Sequence, residues 1–74
     1  MSKKILINKH NPEFYNLMVA TVKAVRANDV SAINHVKTKF QEGNIAIAYN
    51  KESDKIELLE QGFRPVVLNA KDFE

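Results

Sequence analysis

The chain has 74 residues, 45% of them hydrophobic and 27% charged, with two glycines, two prolines, no cysteine and no tryptophan. A chain this short builds one domain around one small core, so a deep cleft or a second domain is not expected, and without cysteine it has no disulfide framework, thiolate metal site or thiol nucleophile. The net charge of +2 conceals an asymmetry: residues 1–41 carry seven Lys or Arg against two acids, giving +5, and residues 42–74 carry four against seven, giving −3.

Residues 3–8, Lys-Lys-Ile-Leu-Ile-Asn, are rich in β-branched side chains and predict a strand with Ile5 and Ile7 on one face and Leu6 on the other. Asn11-Pro12-Glu13 then predicts a helix start, with a capping side chain, a proline where no donor is needed and an acid in the first turn. The helix runs over 12–27 with Phe14, Leu17, Met18, Thr21, Val22 and Val25 on one stripe.

Asn28-Asp29-Val30-Ser31 interrupts the helical pattern with poor helix formers that cap well, so a second helix is read with Val30, Ile33, Val36, Lys37 and Phe40 facing inward. One continuous helix over 12–42 is the alternative. Gly43 is expected to end the second helix in the left-handed conformation. Ile45 to Tyr49 alternates large and small residues, predicting a strand with Ile45, Ile47 and Tyr49 on one face and Ala46 and Ala48 on the other.

Residues 55–61 are read as a short third helix capped by Asp54 and stopped by Gly62. Its rival is a hairpin turning over 50–54 with Ile56 and Leu58 inward, against which stand the consecutive leucines at 58 and 59. A last strand over 63–68 is placed at a sheet edge by Pro65, and 70–74 reads as a polar tail. The chain is therefore expected to be an α+β domain spanning 1–74, a three-stranded sheet in the order β-α-α-β-α-β, or β-α-α-β-β-β if the hairpin forms.

The two glycines are too few for a phosphate-binding loop, and the serines at 2, 31 and 53 stand in no nucleophile elbow. His10 and His35 have no metal-ligand spacing, and Asp54, Glu57 and Glu60 read as a solvated acidic helix face. No enzyme activity, metal or cofactor is expected. The longest weakly polar run, 17–22, is far short of a membrane span, and a cytoplasmic protein is expected.

A short strand bearing Lys3 and Lys4, followed by two helices with Ser31 near the start of the second, resembles the ribbon-helix-helix DNA-binding family over residues 3–42. The resemblance implies a dimer whose paired strands enter the major groove. The first helix is longer than that family favours, the strand is apolar on both faces, and Asn28-Asp29 stands where the inter-helix glycine would be. A broader nucleic-acid surface would be built from Lys3, Lys4, Lys9, Lys23, Arg26, Lys37 and Lys39.

The preferred expectation is a non-enzymatic module that binds a larger protein or complex, of the kind by which small phage or mobile-element proteins inhibit host machinery. Its contact residues are expected among Tyr15, Tyr49 and Arg64, whose types make interface anchors, and the acids Asp54, Glu57 and Glu60. A homodimer through the strand near Pro65, or through the apolar breadth of the first helix at Tyr15, Val19, Ala20 and Ala24, is compatible with the same sequence.

Overall fold

The computed structural model describes residues 5–74, which form two helices followed by a three-stranded antiparallel sheet and a terminal 3-10 turn. Helix α1 (Pro12–Arg26) starts as its residues dictate: the Asn11 side chain accepts the Glu13 amide at 3.0 Å and Pro12 occupies the first turn. It buries Phe14, Met18, Thr21, Val22 and Ala24, and the Thr21 hydroxyl is satisfied by the Leu17 carbonyl at 2.8 Å.

Helix α2 (Val30–Glu42) is separate, because Asn28 takes a left-handed φ of 52° and Asp29 caps the new helix by accepting the Ala32 amide at 3.1 Å. At its far end Gly43 keeps φ −97° and Asn44 adopts the left-handed φ of 62°, so the asparagine makes the reversal expected of the glycine. Val36 and Phe40 are buried, whereas Val30 at the first position and Lys37, read on the same stripe, are exposed.

Strands β1 (Ile45–Asn50), β2 (Lys55–Glu60) and β3 (Val66–Asn69) are adjacent in chain order and antiparallel. The segment 55–61 is thus a strand rather than a helix: Ile56 and Leu58 alternate inward while Glu57 and Leu59 face out. The hairpin is set by Asn50, whose side chain accepts the Glu52 and Ser53 amides, and by Asp54 at a left-handed φ of 56°. Gly62, expected to stop a helix, instead supplies φ 87° in the turn closed by the Phe63 amide on the Glu60 carbonyl.

Two further expectations give way. Residues 5–8 form no strand; Lys3 and Lys4 lie outside the described residues, and Ile5 enters the core from a loop. Without that strand the ribbon of the ribbon-helix-helix resemblance is not formed over 5–8. The last strand begins at Val66, and Ala70–Phe73 is a 3-10 helix that buries Ala70 and Phe73 where a polar tail was expected.

The core lies between the helices and one face of the sheet, with Phe14 at its centre. Phe14 meets Phe40 edge-on at 6.4 Å and Phe73 at 6.5 Å, so rings from both helices and the C-terminal turn lock together. Ile45, Ile56 and Leu58 close the core from the sheet. None of the described helices is long and apolar enough to cross a membrane.

Candidate functional site

Two features of the surface stand out: a closed polar cluster at the hairpin end of the sheet, and a sheet face with exposed apolar side chains that, among the described residues, carries no helix. The cluster gathers Arg26 from the end of α1, Tyr49 from β1, Asp54 from the hairpin and Glu74 at the C-terminus. Arg26 grips Asp54 through both carboxylate oxygens, at 2.6 and 2.9 Å, and also donates to the Tyr49 hydroxyl at 3.2 Å and to Glu74 at 3.0 Å. Tyr49 in turn donates to Asp54 Oδ1 at 2.7 Å, and the Asp54 carbonyl accepts the Ala70 amide at 3.0 Å.

The hydrogen bonds from Arg26, then from Tyr49, hold the Asp54 carboxyl down at about 2, well below the usual carboxylate range. The same contact with Asp54 raises the Tyr49 hydroxyl above its ordinary value and strengthens the guanidinium's hold on its proton. Near neutral pH these groups therefore keep one protonation state, and four of the five guanidinium donors are committed. This is a structural clamp joining helix, hairpin and C-terminus, and it is unsuited to passing protons.

The sequence candidates distribute themselves accordingly. Tyr49 and Asp54 meet in the clamp with Arg26, which had been placed with the basic surface. The three acids do not form one face: Glu57 points out from the sheet, Glu60 is half-buried at the end of β2 opposite Ile45, and Asp54 is paired. Tyr15 lies tilted on Phe73 at 5.6 Å, and Arg64 is exposed in the turn before β3. Of the basic residues, Lys9 pairs with Asp72 at 3.1 Å and Arg26 is spent, leaving Lys23, Lys37 and Lys39 exposed on the helices.

Sequence reasoning missed the outer face of the sheet. Ala46 stands opposite Leu59, and Ala48, Glu57 and Val67 form the next row across all three strands. Leu59 is 47% and Val67 53% exposed, and Phe63 in the adjoining turn is 63% exposed. The alternation at 45–49 correctly separated the alanines from the isoleucines; what it lacked was β2, whose leucines at 58 and 59 point to opposite sides. Small side chains on β1 beside larger ones on β2 and β3 leave backbone that another surface can approach closely. No protein-family model, curated protein or solved structure matches this chain.

Proposed function

We propose that this chain is a non-enzymatic protein-binding module that covers part of a larger protein with the helix-free face of its sheet. The observation that carries the reading is the exposure on one face of Leu59, beside Ala46, and of Val67, across Glu57 from Ala48. Apolar side chains exposed on a sheet gain free energy when a partner removes them from water, about 25 cal/mol per Å², and Phe63 is a further exposed apolar side chain in the adjoining turn. Glu57, one of the contact residues expected from the sequence, lies on it between Ala48 and Val67. The closed state of the Arg26–Asp54 cluster supports binding over catalysis. A role as an inhibitor or modulator of host machinery would follow from the identity of the partner.

Affinity capture from the source cell tests this. The tagged chain, treated with nuclease, is expected to retain one stoichiometric protein. Leu59→Lys and Val67→Lys should cut its recovery at least tenfold with unchanged circular dichroism and melting temperature, while Lys23→Glu and Lys39→Glu leave it intact. Equal recovery with the sheet-face variants, or recovery of nucleic acid alone before nuclease, overturns the proposal.

A further inference from the structure

The two edges of the sheet are not alike. β3 is four residues long and follows Pro65, which blunts that edge. β1 is six residues long, Ile-Ala-Ile-Ala-Tyr-Asn, and carries no charge, proline or glycine. Among the described residues its backbone bonds only to β2, so in roughly every second residue the outer N–H and C=O face away from the sheet. An uncharged edge of this length is a template for another strand.

What that strand must carry follows from α2, which packs beside β1 and runs back along it after the short Gly43–Asn44 connection. Gln41 lines one surface depression with Ile45 and Ala46, while Ile33 and Lys37 line another with Tyr49 and Lys51. Among the described residues no carboxylate pairs with Lys37 or Lys51. An added strand thus meets an apolar residue and two cations toward the Tyr49 end of β1. A second copy fits poorly, because β1 itself carries no carboxylate to set against Lys37.

Resting on the protein-binding reading above, we infer that the outer edge of β1 takes an extended segment of the partner in which apolar residues alternate with a carboxylate that faces Lys37. The probe is the capped heptapeptide Thr-Val-Thr-Glu-Thr-Val-Thr, whose symmetry makes strand direction immaterial, with a version carrying Lys at its centre as control. With the full chain, the glutamate peptide should slow amide hydrogen exchange within 45–50 at least tenfold and bind at least tenfold more tightly than the control. Lys37→Glu, at an exposed helical position, should reverse that preference. No slowing in β1, slowing confined to β3, or equal affinity for both peptides overturns the assignment. So does slowing that rises with protein concentration when no peptide is present, which would mark a second copy on the edge. Because the capture experiment reads Leu59 and Val67, the edge can fail while the protein-binding reading stands, and the reverse.

Discussion

Arg26 and Asp54 are 28 positions apart, yet their bidentate pair sets the electrostatics of the hairpin end. Asp54 has a folded value of about 2, below the ordinary carboxylate value of about 3.9. Its contribution to stability is therefore complete above the ordinary value and is lost as pH falls through about 2. Thermal melts from pH 7 to 2 should show that acid loss in the wild type and a shallower one in Asp54→Asn, which also melts lower at pH 7. An acid limb of unchanged steepness would remove Asp54 from that role. A capping role for Asp54 was the natural reading of its neighbours, because Asp followed three residues later by Glu marks many helix starts. Nothing local signals an arginine on another element, so the clamp was illegible until the chain closed on itself. By contrast Asn11 and Asp29 accept amides two and three positions away and Pro12 sits in the first turn where no donor is needed, so their roles were readable directly.

At the scale of elements, the segment 55–60 shows where periodicity fails. Six residues hold too few repeats to separate a helical from a strand pattern when apolar residues stand side by side. The pairing of β2 with both β1 and β3 decides it, satisfying its backbone on each side. A consequence is that neighbouring leucines should respond differently to the same truncation. Leu58→Ala opens a cavity in the core and is expected to cost about 2–5 kcal/mol. Leu59→Ala, on the outer face, should stay within about 0.5 kcal/mol of wild type. Urea unfolding measures both, and comparable losses would contradict the strand assignment. The longer helices were legible because each spans three turns or more and carries its own start and stop signals.

For the molecule as a whole, the last residues matter out of proportion to their number. Phe73 is 1% exposed and stacks edge-on against Phe14, while Ala70 hydrogen-bonds back to the hairpin at Asp54. Phe73→Ala should cost about 3–5 kcal/mol, as much as a core of this size supplies in total, about 3–5 kcal/mol. The variant is expected to be largely unfolded at 25 °C, with its amide proton spectrum collapsed. Asp72→Ala removes only the exposed pair with Lys9 and should cost less than about 1 kcal/mol. A well-dispersed spectrum for Phe73→Ala would show that the C-terminal turn is dispensable.

What the sequence determined by itself is what short-range chemistry specifies: an α+β chain, two helices with their caps, and a strand at 45–49 with its isoleucines inward. The tertiary structure decided the rest. It made a strand of 55–60, drew Phe73 into the core, closed Arg26 on Asp54 and, among the described residues, left the outer sheet face and the β1 edge uncovered. The physical reason is common to all four. Each depends on which distant segments share backbone bonds and buried surface, and a residue's neighbours along the chain carry no record of that.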